Sequence, residues 1–226
     1  MIDEFVFYAN ARYAPIDVLE AETRICASLR FDFAIPPAID FLYCLLQRLN
    51  WPATFAVHRG MHKQVVMLAH LLCEIALLAQ PTTPDEPTYP ASLLACCALC
   101  LSLACLRCGL WRDGSPGPST TPEQYWTPSM AQATGYSRAE LRTLITQLQH
   151  AHADAHADLA SNPVVQPQQW GRWGVVRHKF SQPRFLSVLK VPPFTPHTGG
   201  SLYSPLHNDL VRAPLSSPLA HALAAP

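Results

Sequence analysis

Glycine, charged residues and net charge are all scarce in this sequence. Only 9 of the 226 residues are glycine, 14% are charged, and 16 basic residues balance 16 acidic ones. A balanced charge lacks the basic excess that nucleic-acid binding requires, so we expect no nucleic-acid partner. So few charged residues also leave apolar surface uncovered, which favours contact with a partner protein.

The signatures of catalysis are missing as well. The sequence has no nucleophile elbow, no phosphate-binding glycine loop and no paired carboxylates with a basic neighbour. Because glycine is scarce, the chain can also form few of the tight loops that active sites favour. We therefore expect a protein that is not an enzyme and that uses no cofactor and no small-molecule substrate.

The cysteines are numerous but lie in apolar surroundings. Five of the eight fall between Cys96 and Cys108, inside the run "CCALCLSLACLRC", and the first residues, "MIDEFVF", lack the basic stretch of a signal peptide. Both observations favour a reducing compartment in which cysteine serves as a small core residue.

Two Cys-x-x-Cys pairs, Cys97 with Cys100 and Cys105 with Cys108, have the spacing of zinc ligands. On one continuous helix Cys97 and Cys108 would lie about 16 Å apart, at about 1.5 Å per residue. Four sulfurs must lie about 2.3 Å from a single zinc ion. Since nothing in the run breaks a helix, we predict core packing and no metal site.

The histidines of "HAHADAHAD" are a weaker metal candidate. Only His152 and His156 share a helical face, and no glutamate accompanies them in the pattern of zinc proteases. We interpret this stretch as a solvated helix end.

One span, Ala91–Leu110, has the length of a membrane helix. It contains two serines and Arg107, and much of the rest is alanine and cysteine, whereas crossing a bilayer takes roughly 20 strongly apolar residues. We predict a buried central helix surrounded by other helices, and no contact with a membrane.

Helical periodicity, capping residues and prolines predict an all-α protein, since no segment alternates long enough to indicate a strand. Beyond Val191 the composition is typical of a disordered tail. The predicted helices are Pro15–Arg30, Ala38–Leu49, His62–Gln80, Ser92–Cys108, a short helix from Pro128 to near Gly135, one opened by the capping box Ser137 to Glu140, and a final short helix at "GVVRHKF".

Glu22 is unusual in the first of these helices. At 100° per residue, Val18, Ile25 and Leu29 fall within about 40° of one another. Cys26 and Leu19 extend the same broad apolar face, and Glu22 lies in the middle of it. A carboxylate there is costly unless a donor satisfies it. Either an internal salt bridge, such as one to an arginine, supplies the donor, or the face docks a partner whose donors bind Glu22.

Several motifs, in this order along the chain, resemble those of A- and B-type (mitotic) cyclins. "DEFVFYANARYAPIDVLEAETRICASLRFDFAIPPAIDFL" is similar to the end of a first cyclin box and the linker to the second. "LLCEIALL", "YPASLLACCALCLSLA", "TGYSRAEL" and "VRHKFSQPRFLSVLKVPP" are similar to segments of the second box. In the first stretch the matching positions are Phe5, Val6, Tyr13, Glu22, Leu29, Phe31, Phe33 and Pro36, with Pro37 where threonine is usual.

This resemblance implies a domain plan. Residues 1–34 would be the remnant of an N-terminal cyclin box, contributing its last helix. Residues 35–190 would form the five-helix C-terminal box, and residues 191–226 the disordered tail. The earlier helices of the first box are expected to be missing from this chain.

The resemblance also implies a function. Cyclins bind a cyclin-dependent protein kinase and push its αC helix into the active position, which completes a lysine–glutamate pair needed for phosphoryl transfer. By position, Glu22 would contact the kinase, and Cys26, Phe31 and Phe33 would form part of a pocket for a kinase side chain. We expect a nuclear and cytoplasmic cell-cycle regulator that is not self-sufficient as an activator; the alternative is a non-activating helical scaffold.

Seven serine–proline or threonine–proline pairs occur, about 2.6 being expected by chance from 27 Ser and Thr and 22 Pro in 226 residues. Many such pairs simply favour turns and helix starts. Ser204 and Ser217 are the candidate phosphorylation sites, because a proline-directed kinase needs an extended, accessible segment.

Overall fold

The computed structural model describes residues 2, 6–7, 9, 12–51, 61–79, 89–106, 121–161 and 173–195. From residue 12 onward the described chain forms seven α-helices and three short 3-10 helices, without a strand, so the predicted all-α class is confirmed. The α-helices are α1 (Pro15–Ser28), α2 (Ala38–Arg48), α3 (His62–Ala79), α4 (Ala91–Cys105), α5 (Pro128–Thr134), α6 (Arg138–Ser161) and α7 (Gly174–Phe180).

The capping signals predicted from the sequence are formed. Thr127 Oγ1 accepts a hydrogen bond from the Met130 N–H at 3.2 Å and opens α5, which ends at Gly135 with a left-handed φ of 80°. At the start of α6 the Ser137 N–H donates to the Glu140 carboxylate at 2.7 Å. Predicted helix ends are late by one to three residues; for instance, α4 ends at Cys105 rather than Cys108.

Helix α4 is the centre of the core. Every residue from Leu93 to Ala104 is buried, and α2, α3 and α6 all pack against it. The membrane-like span is therefore a central helix, as predicted. Among the described helices α3 is long and apolar enough to cross a membrane, but more than half of it is buried in the protein, as in many core helices.

Most of the described cysteines serve as core residues. Cys73, Cys96, Cys97 and Cys100 are buried, and burial raises the pKa of Cys73 and Cys96 to about 12. Cys44 differs, because it lies on the outer face of α2 and is exposed. In the described chain no group of three or more His, Cys, Asp or Glu residues has the arrangement of a metal site.

The interpretation of "HAHADAHAD" as a solvated helix end is wrong. His152 is 3% exposed, and Ala151 and Ala155 are buried beside it, so α6 packs one face to at least Ala155. The reason is that alanine and histidine side chains can form the buried face of a helix, whereas the prediction relied on large aliphatic residues at helical spacing. His152 Nδ1 lies 4.0 Å from Cys105 Sγ of α4.

The packed chain also extends past residue 190. Val191 and Phe194 are buried, and the Gln149 side chain donates to the Phe194 carbonyl at 3.0 Å. Residues 196–226, the rest of the predicted tail, lie outside the described residues. The first four residues of the tail prediction, 191–194, are therefore part of the packed structure, and α6 holds their end through the hydrogen bond from Gln149.

Candidate partner-docking surface

Helix α1 differs from all the core helices because none of its residues is buried. Pro15 occupies its first turn, and the Ala14 N–H is satisfied by the Asp17 carboxylate at 2.8 Å. The segment 29–37 that follows is exposed throughout, and burial resumes at Ala38, the first residue of α2. The helix and this linker thus form one continuous outer surface.

The end of α1 is closed by a complete Schellman motif. The Phe31 N–H donates to the Cys26 carbonyl at 2.9 Å, and the Arg30 N–H donates to the Ala27 carbonyl at 3.0 Å. Arg30 has the left-handed φ of 52° that the motif requires, although glycine is usual there. This local geometry places the backbone of Phe31 beside that of Cys26.

Helix α2 ends in the same way. Asn50 takes the left-handed position with a φ of 51°, and the Trp51 N–H donates to the Leu46 carbonyl at 2.9 Å. In both helices an aromatic residue follows the left-handed one. The aromatic ring of Trp51 contacts the ring of His62, with centroids 5.2 Å apart, whereas Phe31 stays exposed.

Phe31 and Phe33 form an exposed aromatic pair on the linker. Their ring centroids lie 6.3 Å apart in an edge-to-face arrangement, which aromatic pairs favour. The exposed fractions are 67% and 58%, and Ile35, next along the linker, is 82% exposed. Large apolar side chains left in water to this extent indicate a surface that a partner covers.

Glu22 lies one helical turn before Cys26 on the same side of α1. It is exposed, and no ion pair joins its carboxylate to a described residue. Cys26 is half-buried. The four residues predicted as a docking site, Glu22, Cys26, Phe31 and Phe33, therefore share one surface, which we call the α1–linker surface. Their role in binding remains a prediction.

The α1–linker surface offers a carboxylate bordered by apolar side chains. At roughly 200 Å² for a large apolar side chain, its five most exposed apolar residues present roughly 600 Å² to solvent. A partner in a standard interface covers about 800 Å² on each side. The surface thus suits a protein that brings an apolar side chain and a hydrogen-bond donor for Glu22. The five residues are Ile25, Leu29, Phe31, Phe33 and Ile35.

His70, Glu74 and Lys179 form a polar cluster that the sequence analysis did not predict. Glu74 Oε1 accepts from His70 Nε2 at 3.1 Å and from Lys179 Nζ of α7. Burial raises the pKa of Glu74, but the hydrogen bonds and charges of His70 and Lys179 outweigh it, so the pKa lies below its usual range. The signal available in the sequence was the four-residue spacing of His70 and Glu74 on one helix.

Beside this cluster, aromatic rings also join α7 to α3. The ring of His70 lies 5.5 Å from that of Phe180, and Phe180 lies 4.5 Å from Phe185. Phe180 and Phe185 are both buried. The cluster therefore holds α7 and the 3-10 helix after it, Pro183–Phe185, against α3, which is a structural task rather than a binding site.

Two of the quoted motifs meet in space. Ser92 of "YPASLL" shares a hydrogen bond of 2.9 Å with the hydroxyl of Tyr136 in "TGYSRAEL". The Tyr136 carbonyl accepts from the indole N–H of Trp126 at 2.9 Å, and Arg138 donates to the Trp126 carbonyl. These bonds fix the turn between α5 and α6 against the start of α4. Ser204 and Ser217, the candidate phosphorylation sites, lie outside the described residues.

Comparison with known protein families identifies one domain. Residues 36–194 match the family described as "Cyclin, C-terminal domain", a range that begins just after the exposed linker residue Ile35. Helix α1 lies outside that match.

Three curated relatives extend the comparison. Human G2/mitotic-specific cyclin-B3 is 26% identical over 84% of this chain, which covers 11% of that protein. Cyclin-A of Hydra viridissima is 24% identical over 85% of this chain and 36% of its own length. Cyclin-B2 of Mesocricetus auratus is 25% identical over 92% of this chain and 43% of its own length. The chain thus spans less than half of each of these relatives.

Proposed function

Because the chain belongs to the cyclin family through its C-terminal cyclin domain, we propose that it is a regulatory subunit of a cyclin-dependent protein kinase. The observation that carries the proposal is the α1–linker surface, an exposed helix and linker in a chain whose other helices pack together. In this proposal Glu22 accepts hydrogen bonds from the kinase, and Cys26, Phe31 and Phe33 receive an apolar kinase side chain.

The exposed carboxylate favours docking over an internal salt bridge. If Glu22 were a structural residue, its partner would be expected among the residues of α1, the linker or α2, and no described residue there pairs with it. In water an unpaired carboxylate costs nothing, but once a partner covers it, it needs a donor. Glu22 would therefore select a kinase surface that carries a donor at that place.

The area of the α1–linker surface limits how tightly this 226-residue chain can bind a kinase on its own. Signalling assemblies commonly bury about 2,000 Å² or more, whereas the α1–linker surface presents roughly 600 Å² of apolar side chain. We propose that the chain binds a cyclin-dependent kinase weakly and does not activate it unaided. The competing candidate is a non-activating helical scaffold, in which the same surface binds another protein.

The test uses the full chain and a panel of purified monomeric cyclin-dependent kinases. Binding is measured by biolayer interferometry and activity by histone phosphorylation. We expect binding to at least one kinase, with phosphorylation at background. Glu22→Ala should weaken that binding by about 1–3 kcal/mol, the cost of leaving buried donors without an acceptor. Asp154→Ala, an exposed carboxylate on α6, is the matched control and should leave binding unchanged.

Three outcomes would contradict parts of this proposal. Absence of binding to every kinase favours the scaffold. Strong stimulation of phosphorylation shows that the chain is self-sufficient. A Glu22→Ala protein that melts much earlier, yet binds normally per folded molecule, identifies Glu22 as structural. A kinase partner also implies a nuclear and cytoplasmic location, which imaging of a fluorescent fusion would test.

A further inference from the structure

The turn that follows α1 contains two consecutive residues in the left-handed region. Arg30 has a φ of 52° and Phe31 a φ of 56°. Residues with a Cβ adopt this region rarely, and a bulky residue in it is an outlier that the surrounding structure must hold in place. Such residues cluster at binding sites. The turn that presents Phe31 is therefore one that the chain maintains against a conformational cost.

Asp32 ties this turn on both sides. Its N–H donates to the Leu29 carbonyl at 2.9 Å, which joins Asp32 back to the end of α1. Its carboxylate Oδ1 accepts a hydrogen bond from the Ala34 N–H at 3.3 Å. A bond from an aspartate side chain to the backbone two residues on is an Asx turn, and this one closes around the backbone of Phe33.

The two aromatic residues thus depend on two different hydrogen bonds. The backbone of Phe31 is fixed by its bond to the Cys26 carbonyl, and that of Phe33 by the side chain of Asp32. Both bonds join residues at most five positions apart, so they form from the local sequence and need no distant segment. Without the Asp32 carboxylate, the Ala34 N–H would bond to water and Phe33 would be free to turn away from Phe31.

We propose that Asp32 is the positioning residue of the α1–linker surface, and that its side chain keeps Phe33 against Phe31 in the edge-to-face arrangement that receives the kinase side chain. The inference rests on the proposed function for its binding partner, whereas the geometry it invokes belongs to the free chain. Asp32 acts through Phe33 and needs no contact of its own with the kinase. The property that matters is the acceptor oxygen of Asp32 and not its negative charge.

The test compares the full 226-residue chain with Asp32→Ala and Asp32→Asn, because asparagine keeps the acceptor oxygen and loses the charge. The geometry is measured in the free chain by NMR, from the contact between the rings of Phe31 and Phe33 and from the hydrogen exchange of the Ala34 amide. Asp32→Ala should lose most of the ring contact and exchange this amide several-fold faster. Asp32→Asn should keep both.

Binding to the panel of cyclin-dependent kinases is the second measurement. One hydrogen bond corresponds to about a two- to tenfold change in the fraction of chains that hold the bonded geometry. Binding weakens in proportion to that fraction, so Asp32→Ala should lose about two- to tenfold in affinity and Asp32→Asn less than about twofold. Asp40→Ala removes an exposed carboxylate just past the linker and should change neither measurement.

Two results would overturn the proposal. An unchanged ring contact in Asp32→Ala would show that the pair forms without this side chain. An equal loss of binding in Asp32→Ala and Asp32→Asn, with the ring contact kept in Asp32→Asn, would show that the charge of Asp32 meets the partner directly. If the unaltered chain binds no kinase, the proposed function fails, and the ring contact still decides whether Asp32 positions the pair.

Discussion

The burial of His152 predicts that this side chain makes a large contribution to the loss of stability in acid. Burial, and to a lesser degree the nearby charge of His156, lowers the pKa of His152 to about 4 in the folded protein. In the unfolded chain a histidine titrates near pH 6.5. The unfolded state therefore binds a proton more readily, and protonation favours unfolding.

The magnitude follows from the difference between these two pKa values. A shift of about 2.5 units at about 1.36 kcal/mol per unit gives roughly 3 kcal/mol. The contribution is fully present above pH 6.5, declines as the pH falls from 6.5 towards 4, and is constant below that. Since small domains have only about 5–15 kcal/mol of stability, a loss of this size is large.

The assay is urea unfolding between pH 7.5 and pH 4 for the unaltered chain, His152→Gln and His150→Gln. The free energy of unfolding should fall by roughly 3 kcal/mol more in the unaltered chain than in His152→Gln across this range. His150 is exposed on the same helix, and its variant should follow the unaltered chain. An equally steep acid loss in His152→Gln would show that other groups cause it and that His152 does not titrate as its burial requires.

Two further predictions concern the core and the junction of α7. Glu74→Gln should loosen α7, because it removes the charge that Lys179 and His70 share. Faster hydrogen exchange in Gly174–Phe180 should accompany a stability loss of roughly 1–2 kcal/mol. Asp40→Asn, at an exposed position of α2, should change neither. Unchanged hydrogen exchange in α7 would show that the charge of Glu74 does not hold this helix in place. Cys44 should react with a thiol reagent in the native protein well before the buried thiols of Cys73, Cys97 and Cys100, as peptide mapping would show, and equal rates would contradict their burial.

The sequence predicted the helices well where a side chain closes a hydrogen bond locally. Thr127, Gly135 and the Ser137–Glu140 capping box mark their helix ends in the sequence and in the structure. The ends of α1 and α2 are subtler, because Arg30 and Asn50 take the left-handed position that glycine usually signals. Those Schellman ends become visible only once the backbone hydrogen bonds are known.

Burial was harder to predict than helix type. Two expectations about burial are wrong: His152 is buried rather than solvated, and Cys44 is exposed rather than part of the core. The reason is that neighbouring elements in space decide which face of a helix is packed. The Glu74–Lys179 pair joins residues 105 positions apart, a distance that no local pattern covers. For the α1–linker surface, the resemblance placed the four residues along the chain. The structure added the exposure of Glu22, Phe31 and Phe33 and the hydrogen bond from the Phe31 N–H to the Cys26 carbonyl.

The closed end of α1 has a consequence for the cost of binding. Binding usually requires side chains and loops to be ordered, and each flexible side chain that is immobilised costs about 0.5–1.5 kcal/mol. The hydrogen bond from the Phe31 N–H to the Cys26 carbonyl fixes the backbone of Phe31 relative to α1 without a partner. A protein that docks there meets an aromatic residue whose main chain is already in place, so less conformational entropy is lost when the contact forms.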